Sequence, residues 1–455
     1  MNFRCLALLI LTLFVTSTTM AAPVWQGGSA RIKLTPEQFM WMSGYGGRTV
    51  PADGKLTDIW AKAVVLRDGS GNDAVLITAD LIGIGAESTE WIAGELKKNH
   101  GLERSQFAIA TSHTHTGPAL SDNLVPLHYL RADEVQQNRI VQYTLKLRQL
   151  LVDVVRLAYD DLEPVYLTSG SGLCTVAVNR RTNTESQVPQ KRLEGKLNGP
   201  FDHDVPVLAV RNADYELKTI VFGYACHSTV LSFTQWSGDY PGFAQIELEK
   251  IYRNVDAMFW AGCGADQNPL PRRTVELAQH YGQRVARAVD SVLRGTMANV
   301  EGGLTTHYKE IAGKTQEPIG REQLNELLEK GNQYEKPFAQ YVLKNLGDRD
   351  VLPRTYPYPI QTWHIGDIRM VFLGGEVVVD YALKIKQNKH AVKDPSIWVA
   401  GYSNDVMAYI PSTRVLLEGG YEGGGSTTYY GFPALWSEDF EAQILDETRR
   451  QLNHK

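Results

Sequence analysis

Residues suited to acid–base or metal chemistry recur at one kind of place in this sequence, directly after a short apolar run. Ala74–Ala79 is followed by Asp80, and Phe107–Thr111 by Ser112-His113-Thr114-His115-Thr116-Gly117-Pro118. Ile220–Ala225 leads to Cys226-His227, and Ala257–Trp260 to Gly262-Cys263-Gly264-Ala265-Asp266. Ile368–Leu373 delivers Gly374-Gly375-Glu376, and Trp398–Gly401 is followed by Asn404 and Tyr409. Two histidines, one glutamate and one tyrosine from four distant segments are a suitable ligand set for zinc. On an extended His-x-His segment both rings face one side, so one can bind metal while the other faces a substrate. Each residue also has a plain reading. A loop histidine can be solvated, and Tyr409 can be packing. Glu376 can open a helix carrying Val378, Tyr381, Ala382 and Ile385 on one face, where the helix dipole stabilises a carboxylate. Asp80, Asp239 and Asp266 are short acids beside these ligands, suited to orienting a histidine ring or holding a loop. For Asp239 the plain alternative is capping of the Asp239-Tyr240-Pro241-Gly242 turn. His100, His128, His203, His280, His307, His364, His390 and His454 stand beside no second candidate ligand and read as structural or solvated.

The elements that must position these groups are of two kinds. The apolar runs above, with Val207–Val210, read as buried strands. Ile140, Thr144, Leu147, Leu151, Val154 and Ala158 step by four and three, as do Ala278, Tyr281, Val285, Ala288 and Val292, which predicts helices. Ser88–Asn99 and Ser437–Leu452 read as helices too, the latter with Ser437 as N-cap, and residues 319–346 as a charged, peripheral helical pair. Strands mixed with helices imply an α/β class. Short turns between runs at 63–79 and 357–373 predict mixed β-sheets flanked by helices. The candidate residues interleave along the chain, so residues 23–455 are expected to form one continuous domain.

The 455 residues carry 46 Lys+Arg against 51 Asp+Glu, a net charge of -5, which offers no field for nucleic acid. With 43% hydrophobic and 21% charged residues the chain is neither disordered nor fibrous. Residues 1–22 read as a signal peptide: Arg4 precedes the apolar run Cys5–Val15, and Met20-Ala21-Ala22 offers a cleavage site. That run is shorter than the ~20 residues of a spanning helix, so the protein is expected to be secreted or periplasmic. After cleavage Cys174, Cys226 and Cys263 remain. One pair could form and leave one thiol over, and the alternative is three buried small hydrophobes.

Ordered elements over roughly residues 30–450 resemble the neutral/alkaline, non-lysosomal ceramidase family. They are Gly44-Tyr45, Trp60-Ala61-Lys62-Ala63, the histidine loop 112–118, Asn179-Arg180, Cys226-His227 with Ser237-Gly238-Asp239, Gly375-Glu376, Ala408-Tyr409-Ile410, and Tyr421-Glu422-Gly423 with Ser426-Thr427. The resemblance is to a short form, with no room after the last element for the family's C-terminal immunoglobulin-like domain. Gly264-Ala265-Asp266-Gln267-Asn268-Pro269 stands where the family has an element containing serine, and Asp266 aligns with its aspartate. The resemblance implies that His113, His227, Glu376 and Tyr409 bind Zn2+, and that His115, Arg180 and Tyr421 contact the substrate amide and the tetrahedral intermediate. It implies a secreted zinc amidohydrolase acting on ceramide or a related N-acyl lipid or conjugate, with peripheral membrane contact accompanying such a substrate. The alternatives are a zinc esterase on the same scaffold and, third, a binding protein that has lost catalysis; the last predicts lost ligands, and all four are present.

Overall fold

The computed structural model describes residues 24–387 and 397–454; the expected signal peptide, Cys5 and His390 lie outside them. Two mixed sheets stack face to face with helices on their outer sides. The larger sheet runs in the order Asp256–Ala261, Leu217–Tyr224, Asp204–Arg211, Glu163–Leu173, Trp25–Lys33, Trp60–Arg67, Asp73–Ala79, Phe107–Thr111. The smaller runs Leu304–Lys314, Thr355–Ile365, Ile368–Leu373, Ile397–Ala400. The expected α/β class with mixed sheets is what the chain forms.

Alternation along the strands explains the layering. In Asp73–Ala79, Ala74 and Leu76 face the second sheet, in one cluster with Met258 and Trp260 of their own sheet and Met370, Phe372 and Trp398 of the other. Val75, Ile77 and Ala79 face outward with Ile92, Leu96, Leu147 and Leu151 of the helices Ala86–His100 and Glu134–Asp160. In Ile368–Leu373 the outward Val371 and Leu373 pack in one cluster with Tyr381, Ile385 and Ile444. Both faces of these strands are buried, hence the near-continuous apolar runs in the sequence.

Within the two main sheets three strand pairs are parallel: Asp73–Ala79 with Phe107–Thr111, Leu217–Tyr224 with Asp256–Ala261, and Ile368–Leu373 with Ile397–Ala400. Parallel pairing brings two C-terminal ends to the same edge. Isolated bridges then tie the pairs together: Ala110 with Ser403, Gly262 with Ala400, and Thr114 with Ser228. The six loops named from the sequence therefore open into one region.

Some sequence expectations change. Glu376 does not start a helix. It lies on the short strand Glu376–Val377, paired in parallel with Tyr409, and the helix begins at Val379. Gly375 at φ 75 makes the turn before it, and Asp266 Oδ1 accepts from the Val379 N–H, which fixes the later start. The last helix is Phe440–Leu452, and its N-cap is Asp439, not Ser437. The Ser437 hydroxyl is used on the Lys314 carbonyl and the Asp439 carboxylate. Cys174, Cys226 and Cys263 are three free, buried thiols, so no pair forms, and burial pushes each thiol upward, away from reactivity. The helical pair is Arg321–Lys330 and Glu335–Leu346, with a small core of its own. It is not wholly peripheral: at its centre the Tyr334 hydroxyl donates to Gly46 O, beside the Gly44-Tyr45 element.

Asp405 is buried where the loops meet, accepting from the Tyr356 hydroxyl at 2.7 Å. Burial, with Asp122 and Glu310 adding to it, pushes its carboxyl up to about 7. The folded state therefore holds this proton more tightly than the unfolded chain, and stability contributed by the neutral form is lost as pH rises from about 4 to about 7. We expect Asp405→Asn to remove this loss, so that wild type falls relative to the variant by on the order of 4 kcal/mol at most between pH 4 and pH 8. Urea unfolding at both pH values checks it; parallel pH profiles would show that Asp405 does not titrate in this way.

Candidate metal centre and active site

His113 is held at φ 57, a conformation that non-glycine residues rarely adopt, and Asp239, Tyr402 and Asn404 around it are also at positive φ. Such backbone costs of order 1 kcal/mol or more per residue and persists where surroundings over-determine it. Here they do. The His113 Nδ1 donates to the Ile82 carbonyl at 2.6 Å, and the His227 Nδ1 donates to the Gly264 carbonyl at 2.9 Å. Those carbonyls can only accept, so each ring carries its proton on Nδ1 and turns an Nε2 lone pair inward.

The two Nε2 atoms lie 3.2 Å apart. Glu376 Oε2 lies 3.1 Å from the first and 3.2 Å from the second. Three donors each about 2.0 Å from one tetrahedral ion are about 3.3 Å from one another. The triangle thus has the dimensions of a zinc ligand face. Glu376 Oε2 has no hydrogen-bond partner among the described residues, while Oε1 accepts from the Tyr430 hydroxyl. Burial, with Arg180 nearby, pulls His227 down to about 4, so it stays neutral. Burial opposes ionisation of Glu376, yet His113 and His227 beside it hold its carboxyl well below the ordinary range. Two inward imidazole nitrogens beside a buried, ionised carboxylate are the donor set of a cation site. The Tyr409 hydroxyl lies 3.5 Å from His227 Nε2 and accepts from Arg180 Nη2 at 3.1 Å.

His115 comes to the same place. Its Nε2 is 3.2 Å from His113 Nε2, and its Nδ1 has no partner among the described residues. His113, His115 and His227 can offer ligand atoms all within 4.8 Å of one another, a second donor set. The set with Glu376 is the tighter, because all three of its edges are 3.1–3.2 Å. Burial and the neighbouring His113 and His227 hold His115 well below its ordinary value, so it too is neutral. Its ring packs against Gly44 at φ 106, where a Cβ would meet Nδ1 at 2.5 Å. The Arg48 guanidinium donates to the His115 carbonyl at 2.7 Å, and the Tyr45 ring is 4.9 Å from the His115 ring.

The three aspartates touch none of the inward ring nitrogens. Asp80 accepts from the Trp60 N–H at 3.0 Å and from Gln245. Asp239 accepts from the N–H groups of Val230, Leu231 and Tyr240, which braces the loop after His227 against the first turn of the helix Asp239–Ile251, whose N-cap is Gly238. Asp266 binds the Val379 N–H and Asn179 Nδ2, and its carbonyl accepts from the Arg180 N–H at 2.8 Å. It thereby joins the segments carrying Glu376 and Arg180. Ring orientation falls to two backbone carbonyls instead. Arg180 is half-buried and tied to Glu422 at 2.7 Å. Tyr421 is 44% exposed, its ring 5.2 Å from that of Tyr409 and 5.7 Å from the Arg180 guanidinium. Tyr430, Tyr402, Arg48 and His128 also belong to the site and carry no signal in the sequence. The Tyr402 ring lies 4.3 Å from that of His113, and buried His128 accepts from the Gly44 N–H at 2.9 Å.

An αββα sandwich with a buried histidine–carboxylate cluster at its strand ends is a fold with solved counterparts. No family model matches the chain. The neutral ceramidase from Pseudomonas aeruginosa superposes with a TM-score of 0.72 at 19% identity, over 94% of this chain and 74% of that one. A ceramidase complexed with C2 superposes with the same score, identity and coverage. The chain has the fold of these ceramidases, in keeping with the resemblance read from its sequence.

Two outcomes check the site. His227→Ala should lose stoichiometric zinc, measured by elemental analysis, while its circular dichroism remains that of the wild type. Zinc retained at one per chain would contradict the ligand set. Gly44→Ala should displace His115 and lower activity at least ~10-fold with zinc retained; unchanged activity would show that the Gly44 contact does not position that ring.

Proposed function

We propose that the protein is a zinc-dependent amidohydrolase that cleaves an N-acyl bond, in ceramide or a related lipid or conjugate. The observation that carries this reading is the closed triangle of His113 Nε2, His227 Nε2 and Glu376 Oε2, with Tyr409 next to it. Zinc bound there would polarise an acyl carbonyl and lower the pKa of a water molecule. The likeness to ceramidase structures supports an amide as the bond.

This chain's residues then have separable tasks. Arg180 is fixed by Glu422 and by the Asp266 carbonyl and points its Nη2 at the Tyr409 hydroxyl. A positive group held in place before reaction stabilises charge developing on a carbonyl oxygen without reorganising. Tyr421, against Arg180 and Tyr409, adds a hydroxyl at the open side. His115, neutral and outside the triangle, accepts a proton at one stage and returns it to the leaving nitrogen. No serine is needed in the Gly264–Pro269 segment for this chemistry. In that segment Gln267 is structural, holding the Asp202 N–H and the Ala225 carbonyl.

We infer further that residues 1–22 direct export, which places the enzyme outside the cytoplasm. Among the described residues no helix is long and apolar enough to cross a membrane. Peripheral contact with a membrane follows if the substrate is a lipid.

Arg180→Ala tests the assignment. Glu422 keeps Arg181 as a partner at 2.7 Å, so the fold is expected to survive. The variant should retain zinc and lose ~10²–10³-fold in kcat on an N-acyl substrate. Wild-type turnover would reject the role. Ester hydrolysis without amide hydrolysis by zinc-loaded wild type would replace the amidohydrolase with an esterase.

A further inference from the structure

Beside the metal centre lies a cleft of about 550 Å³ bordered by Arg180, Tyr421, Arg181 and Arg272, and Leu270 is the one aliphatic side chain on its walls. A lipid with two hydrocarbon chains would set methylene groups against guanidinium and carboxylate groups there, forfeiting the gain of apolar burial. The arginines are unequally committed. Arg180 and Arg181 share Glu422, and Arg181 also holds Glu418. Arg48 is used on backbone carbonyls. Arg272 binds Glu185 through Nε, leaving both terminal amino groups without a partner among the described residues.

Arg273 is the least committed. It has no ion pair among the described residues, and its guanidinium lies 5.4 Å from the centre of the Tyr45 ring. That ring is 4.9 Å from the ring of His115. Arg273 sits at φ 96, held by its N–H donating to the Val230 carbonyl at 2.7 Å. Strained backbone that aims an exposed cation at the edge of a reaction centre points to a ligand. Asp239, on which the Arg272 charge acts, is buried and taken up by backbone N–H groups, so it does not neutralise this edge.

We infer that Arg272 and Arg273 bind a carboxylate on the amine side of the scissile bond, so that the substrates are N-acyl amino acids and not ceramides. The inference rests on the amidohydrolase reading and names its substrate class. Arg272 at the cleft wall and Arg273 over the Tyr45 ring both act electrostatically on Tyr45, so a carboxylate arriving there meets two guanidinium groups suited to charge-assisted, forked hydrogen bonds. In the reaction, water supplies OH to the acyl carbon as the C–N bond breaks, and a proton goes to the departing nitrogen. The products are a carboxylic acid and a free amino acid.

The test compares N-dodecanoylglycine, N-dodecanoylethanolamine and a short-chain ceramide on zinc-loaded wild type, Arg272→Ala and Arg273→Ala. The first two share an acyl chain and differ in the carboxylate. Wild type should favour N-dodecanoylglycine in kcat/KM by ~10–100-fold over either neutral amide. Each variant should lower that ratio by about tenfold, mainly through KM for the glycine conjugate. Hydrolysis of the neutral amides at an equal or greater kcat/KM would overturn the carboxylate site and leave the amidohydrolase standing. A preference for the glycine conjugate that survives both substitutions would overturn the assignment to these arginines. Failure to cleave any of the three would overturn the amidohydrolase itself, and this inference with it.

Discussion

Two imidazole lone pairs and a carboxylate oxygen, all buried and all within 3.2 Å of one another, are the constraint on which the structure turns. Like-signed acceptors at that spacing repel, and burial removes the water that would screen them. A cation shared among them would remove that repulsion. The backbone works to create this arrangement. Two carbonyls fix both histidine tautomers, Tyr430 holds the far oxygen of Glu376, and Asp266 ties the Glu376 segment to the Arg180 segment.

The sandwich makes that convergence affordable. Three parallel strand pairs end at one region, so six loops meet without any of them having to be long. Their strands are buried on both faces and supply the packing that offsets strained backbone at His113, Asp239, Tyr402 and Asn404. Rigid packing behind the loops also keeps Arg180 and His115 within reach of the same few ångströms. The open side is different in kind: exposed Tyr421, exposed Arg273 and the partly committed Arg272 form a polar rim on an apolar body.

Much of this is legible in the sequence because the signal repeats. An apolar run that ends in glycine or in a ligand-type side chain occurs six times, and each occurrence points to the same sheet edge. The strands, the α/β class with mixed sheets and the approach of His113, His227, Glu376 and Tyr409 could be read that way. Glu376 could not be placed on its element: helical spacing from Val378 onward looks the same whether the helix starts at 376 or at 379, and the deciding contact comes from Asp266, more than a hundred residues earlier. Tyr430, Arg48 and His128 were invisible for a related reason. Each acts through hydrogen bonds to distant segments, and no local spacing encodes such bonds. Arg180 lies in a polar stretch that reads as surface, and its burial against Glu422 depends on a segment some 240 residues away. Tyr334 brings the charged helical pair to the rim through one hydroxyl, which its helical pattern could not reveal.

The most direct measurement is an anomalous difference map at the zinc edge from crystals of the zinc-loaded protein. The account predicts one peak per chain, about 2.0–2.2 Å from His113 Nε2, His227 Nε2 and a Glu376 carboxylate oxygen, with His115 outside bonding distance. A peak held by His113, His115 and His227 with Glu376 excluded, or no peak at these residues, would contradict it.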